Sequence, residues 1–119
     1  MSNIFNWIEI RTRDLEKAKK FYESVFGWEI TGKENKDYAY WTISSGSKIG
    51  SGIWRMPVNE PLGVYVYIVV DDIETTLKRV EELGGKISQP KTPSVDGCFM
   101  AFLTDPEGNA FGLWEEHRK

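Results

Sequence analysis

Residues 7–28, WIEIRTRDLEKAKKFYESVFGW, come back in altered form from Val64 as VYVYIVVDDIETTLKRVEELGG. Asp72 follows Asp14 by 58 residues (72 − 14), and the same shift lays Ile68 on Ile10, Ile73 on Leu15, Glu74 on Glu16 and Gly85 on Gly27. A repeat of this length constrains the fold more than any single motif, because one backbone plan must suit both copies. Ile8 and Ile10 alternate with Trp7 and Glu9, which is the period of a strand. Asp14 is placed to cap a helix, and Glu16 lies in the first turn, where a carboxylate meets the positive end of the helix dipole. Leu15, Ala18, Tyr22 and Val25 recur at helical spacing. Gly27 can take the positive φ that ends a helix.

The rest of each module is short strands. Strand 4–12 and helix 15–26 are followed by strands at 28–31, 38–44 and 49–55, and MPVNEPLG links the modules. The second module has a strand at 64–70, a helix at 73–83, a short strand at 86–88 and the loop QPKTPSVDG. Strands 98–104 and 110–116 then flank DPEGN. In that turn Asp105 can bond the backbone, Pro106 pre-sets φ, and Gly108 can go left-handed. Gly52-Ile53-Trp54 falls on Gly112-Leu113-Trp114 at a shift of 60 (112 − 52), and a loop absorbs the two extra residues. At 119 residues the chain supports one core. The expected fold is α+β, a single domain over 1–119 built of βαβββ modules 3–56 and 64–116.

Alternation then assigns the faces. Val64, Val66, Ile68 and Val70 make an apolar side expected to pack on the helix, with Ile8 and Ile10 in the same register. Trp7, Glu9, Tyr65 and Tyr67 look the other way, as do Gly50, Gly52, Trp54, Ala110, Gly112 and Trp114. That second side is expected to line a cleft. Its rings (Trp7, Trp54, Tyr65, Tyr67, Trp114) form a stacking surface for a flat or apolar ligand, or else fill the space as core. Gly52 and Gly112 leave its floor open on this reading. Glu9 is the catalytic candidate, a carboxylate among rings that can take or give a proton. Its alternative is an ion pair with Arg11 or Arg55. Cys98 has no histidine inside the domain to activate it and reads as a small strand residue.

A net charge of −3 gives no reason to expect nucleic acid or an anionic membrane as partner. One cysteine precludes an internal disulfide, and neither a leader-like N-terminus nor a membrane-length apolar run is present, so the cytoplasm is expected.

The segment D-L-x-x-A-x-x-F-Y-x-x-x-F-G-W, then V-D-D-I and D-P-E-G-N, in two βαβββ modules, resembles the vicinal oxygen chelate superfamily. That superfamily holds glyoxalase I, bleomycin-resistance proteins and extradiol dioxygenases. The resemblance implies a cup-shaped mixed sheet with one cleft, and a homodimer. It also implies metal ligands on the first and last strand of each module, where this chain has Trp7, Tyr65, Gly52 and Gly112. None of these supplies an imidazole or a carboxylate. The lone His117 lies in the tail EEHRK. The expectation is therefore a protein that binds a small, aromatic or apolar molecule in a metal-free cleft, with no cofactor, rather than a metal-dependent glyoxalase. Its alternative is a lyase, isomerase or dioxygenase, lactoylglutathione lyase-like, that recruits a divalent metal through unusual ligands with Glu9 among them. A third reading is a module that has lost its chemistry and serves as a dimer partner.

Overall fold

The structure is a computed structural model that describes residues 3–34 and 39–116. The elements run β1 (Ile4–Thr12), α1 (Leu15–Phe26), β2 (Glu29–Glu34), β3 (Ala39–Ser44) and β4 (Gly50–Arg55). Then follow β5 (Gly63–Val69), α2 (Ile73–Glu82), β6 (Lys86–Pro93), β7 (Phe99–Thr104) and β8 (Ala110–Glu115). The order βαβββ thus occurs twice, as the repeat requires. Two compact units result, one from Trp7 to Tyr65, the other from Val66 onward together with the residues before Trp7.

In the first unit the strands lie in the order β2-β3-β4-β1, with β1 parallel to β4 and the other pairs antiparallel. Leu15, Ile30, Ala39, Trp41, Ile43 and Ile53 form its core, with Ile10, Ala18, Tyr22 and Trp28 packed against it. Asp14 caps α1 by accepting the Lys17 N–H at 3.1 Å. Gly27 ends the helix at φ +72° and donates its N–H to the Glu23 carbonyl at 3.0 Å. Glu23 also ties the helix to the next strand, since its carboxylate accepts the Ile30 N–H at 3.1 Å and Lys19 Nζ at 2.9 Å. Val25 departs from the expected apolar stripe. It is exposed, as are Phe21 and Phe26.

The second unit orders its strands β5-β8-β7-β6, with β5 parallel to β8. Val70, Ile73, Leu77, Ala101, Leu103 and Leu113 form the core, with Ile68, Val80 and Phe111 among those packed on it. The apolar side of β5 is less covered than its composition suggests. Val64 is 62% exposed and Ile68 half-buried, while Tyr65, Tyr67 and Val69 are buried. The reason is placement, since α2 lies over β6, β7 and β8 rather than along β5. Strand β6 reaches Pro93 where a loop was expected after 88. It pairs with β7 through two register shifts, and as an outer strand it accommodates Pro90 and Pro93.

The turn 105–109 forms as read. Asp105 accepts the N–H groups of Glu107 and Asn109, both at 2.9 Å, and Gly108 has φ +97°. These bonds, the Asn109 side chain first, hold the Asp105 carboxyl below its ordinary pKa. Tyr38 and His117 lie outside the described residues. Among the described residues no helix is long and apolar enough to cross a membrane.

Candidate functional site

In the first unit the odd residues of β1 share a face with the even residues of β4. The register sets Trp7 opposite Gly50, Glu9 opposite Gly52 and Arg11 opposite Trp54. Strand β3 adds Tyr40, which pairs with Trp54. The glycines lie under rings. The Trp7 ring covers Gly50, and the Tyr40 ring covers Gly52 so closely that a Cβ there would sit 2.6 Å from the Tyr40 hydroxyl. Trp7 Nε1 donates to that hydroxyl at 2.5 Å. Tyr40 and Trp54 follow at 6.3 Å between ring centroids. Trp7, Tyr40 and Trp54 are all half-buried, so each ring keeps an outward part.

Behind these rings the face is charged and dry. Glu9 is 3% and Arg11 8% exposed. Arg11 Nε donates to Glu9 Oε2 at 3.3 Å, which is the ion-pair alternative for Glu9 with Arg11 as a partner. The Arg11 guanidinium lies 3.8 Å from the Tyr65 ring centroid and 5.5 Å from that of Trp54. A buried pair of this kind needs its charges matched, because either one alone would carry a heavy desolvation cost.

In the second unit Tyr67 is buried at 4% exposure and covers Gly112, its register partner on β8. A Cβ on Gly112 would lie 2.7 Å from the Tyr67 ring. Phe102 and Trp114 meet Tyr67 edge-on at 5.6 and 6.4 Å. The open floor expected at Gly52 and Gly112 is therefore corrected, since both glycines make room for tyrosine rings already present. The rings arrive by different routes. Tyr67 repeats the position of Glu9 at the shift of 58, so in the first unit, where that place is a carboxylate, Tyr40 of β3 covers the glycine instead. Tyr40 was missed by the sequence reading, although β3 carries the signal. Ala39, Trp41 and Ile43 are buried and alternate with Tyr40 and Thr42, which assigns Tyr40 to the face away from α1.

Trp7, Tyr65, Gly52 and Gly112 stand at the four positions named above, and Glu9 is held by Arg11. Among the described residues no three of His, Cys, Asp and Glu gather closely enough to hold an ion. Cys98 is a free, half-buried thiol just before β7.

Tandem βαβββ units with parallel first and last strands define the glyoxalase class of fold. The family model for the Glyoxalase/Bleomycin resistance protein/Dioxygenase superfamily matches residues 4–113, and the chain belongs to that superfamily. A Mycobacterium tuberculosis protein whose name proposes a glyoxylase is 34% identical over 119 residues, covering 95% of this chain and 46% of the relative. An anthracycline biosynthesis protein of Streptomyces peucetius is 28% identical, again over 46% of its length. The chain thus spans about half the length of these curated relatives. The lactoylglutathione lyase of Haemophilus influenzae is 29% identical over 83% of this chain and 82% of the enzyme. Among solved structures, a hypothetical protein of Bacillus halodurans superimposes with a TM-score of 0.73 at 18% identity, over 100% of this chain and 98% of that one. Methylmalonyl-CoA epimerase of Mycobacterium tuberculosis follows with 0.66 at 16%, over 96% and 88%. At such identities these likenesses speak for the fold alone.

Proposed function

We propose that this protein binds a small, flat, aromatic or apolar molecule without a metal ion. The observation that carries the reading is the contiguous set Trp7, Tyr40 and Trp54. These are three half-buried rings on one sheet face, with the polar edges of Trp7 and Tyr40 turned on each other. With those edges engaged, what the two rings offer outward is mainly apolar ring surface, which suits stacking. Glu9 backs this surface as the partner of Arg11 and has no part in chemistry on this reading. A relative named for anthracycline biosynthesis is in keeping with a flat ligand. Titration with 2-naphthol tests the reading, since stacking on Trp7 or Trp54 quenches tryptophan emission saturably. A linear, non-saturating response would sink it.

The second reading is a lyase of the superfamily, favoured by the relative named lactoylglutathione lyase. It requires a metal bound through residues other than those described, and about one equivalent of metal in protein purified without a tag would favour it. We further infer a homodimer, because β2 and β6 are the outer strands of their sets and unpaired strand edges invite pairing. A solution mass of 13.7 kDa by light scattering would contradict that. The single cysteine fits a reducing compartment, the cytoplasm.

A further inference from the structure

Strand β4 passes beneath two rings that come from opposite sides. Trp7 reaches over Gly50 from β1, and Tyr40 reaches over Gly52 from β3. They meet above the strand in the hydrogen bond from Trp7 Nε1 to the Tyr40 hydroxyl. Glu9 stands directly across from Gly52 in register, so the Tyr40 ring that covers Gly52 lies over the strand position next to Glu9. Tyr40 is half-buried and Glu9 almost wholly buried, so a molecule arriving from solvent meets the ring and not the charge. In the second unit the corresponding cover, Tyr67, is itself buried. Tyr40 is the cover that solvent can reach.

We propose that Tyr40 is the size-determining residue of the binding face. Its ring keeps ligands on the outer surface of Trp7, Tyr40 and Trp54, and bars a six-membered ring from the place over Gly52 beside Glu9. The inference rests on the binding function put forward above. It implies a change of ligand class when the side chain is shortened. The intact face takes apolar ring systems that stack on one of its rings, since Trp7 and Tyr40 are inclined by 34° and Tyr40 and Trp54 by 52°. The opened face takes a single small ring, and prefers one with an O–H donor that Glu9 can accept.

The probe for the opened space is p-cresol, which is the tyrosine side chain as a free molecule. Tyr40→Ala should bind p-cresol at least about tenfold more tightly than the unaltered protein does, as apolar cavities left by truncation bind small aromatics. Tyr40→Phe retains the bulk and should exclude p-cresol as the unaltered protein does. Tyr40→Val, better suited to a strand, serves if the alanine variant does not fold. Saturable 2-naphthol binding by the unaltered protein, with no gain for p-cresol in either truncated variant, overturns the role of Tyr40 and leaves the binding function standing. Equal admission of p-cresol by Tyr40→Phe overturns it too, because bulk would not then be the barrier. Failure of the unaltered protein to bind 2-naphthol overturns the binding function and this inference with it.

Discussion

At the scale of single residues, the two helices solve one problem in two ways. Asp14 caps α1 by accepting the N–H of Lys17, the third helical residue, while the side chain of Asp72, its counterpart, accepts from the Thr75 hydroxyl, and the N–H of Ile73, the first residue of α2, goes to another group. That group is Glu115, at the end of β8, whose carboxylate accepts the Ile73 N–H at 2.8 Å and Lys91 Nζ at 3.1 Å. The capping role of Asp14 was legible, since an aspartate before an amphipathic run followed by Glu in the first turn has a local mechanism. The role of Glu115 was not. It joins residues 42 apart, and only the pairing of β8 beside the helix start brings them together. Glu115→Ala leaves the buried N–H without its acceptor and should cost about 1–3 kcal/mol in urea unfolding. Glu115→Gln, which keeps an acceptor oxygen, should cost less. Equal losses for the two variants would mean that the Lys91 pair, not the cap, is what matters.

At the scale of elements, the strand and helix pattern was largely readable, while the covering of each face was not. The turn 105–109 and both helices follow local chemistry, and α1 occupies the residues expected of it. Burial along β5 and the last turn of α1 went otherwise, because both depend on which strands each helix crosses. The link between α1 and β2 yields a pH prediction. Lys19 first, and the Ile30 N–H next, hold the Glu23 carboxyl below the ordinary glutamate value of 4.5. A folded-state pKa below the unfolded value means that the contribution is present above 4.5 and is lost as pH falls through the folded value. Glu23→Gln should therefore lower stability at neutral pH and flatten the acid limb of a stability–pH curve. Parallel curves for the two proteins below pH 4.5 would show that Glu23 carries none of that dependence.

The glycines beneath the rings belong to the same scale. A methyl group at Gly52 would press on the end of the Tyr40 ring, and one at Gly112 on the ring of buried Tyr67. Overpacking of this kind costs about 1–3 kcal/mol. Gly112→Ala should lie toward the upper end, since Tyr67 is enclosed, and Gly52→Ala toward the lower, since Tyr40 can swing outward. In a Tyr40→Ala background the cost of Gly52→Ala should nearly vanish, giving a coupling within the range of about 0.5–3 kcal/mol found for residues in contact. Additive losses would mean that the strand itself, not the ring, requires glycine.

At the scale of the whole molecule, the repeat was the most legible feature and the donor chemistry the most consequential one. The sequence already shows Trp7, Tyr65, Gly52 and Gly112 where the resemblance places ligands. What it does not show is how the nearby carboxylates are committed. Glu9 is engaged by Arg11 in a nearly dry setting, and Glu115 by a helix N–H and a lysine. A divalent ion recruited to either would have to displace a cation or uncap a helix, and among the described residues it would find no second and third donor gathered with it. Anything that binds only the folded state stabilises it by RT ln(1 + [L]/Kd) and so raises the unfolding midpoint. Zinc, nickel or manganese should therefore leave the thermal midpoint unchanged, and EDTA dialysis should alter neither that midpoint nor 2-naphthol binding. A midpoint that falls with EDTA and returns with one equivalent of metal would mean that the chain holds an ion through donors other than those argued above. The lyase reading would then displace the binding one.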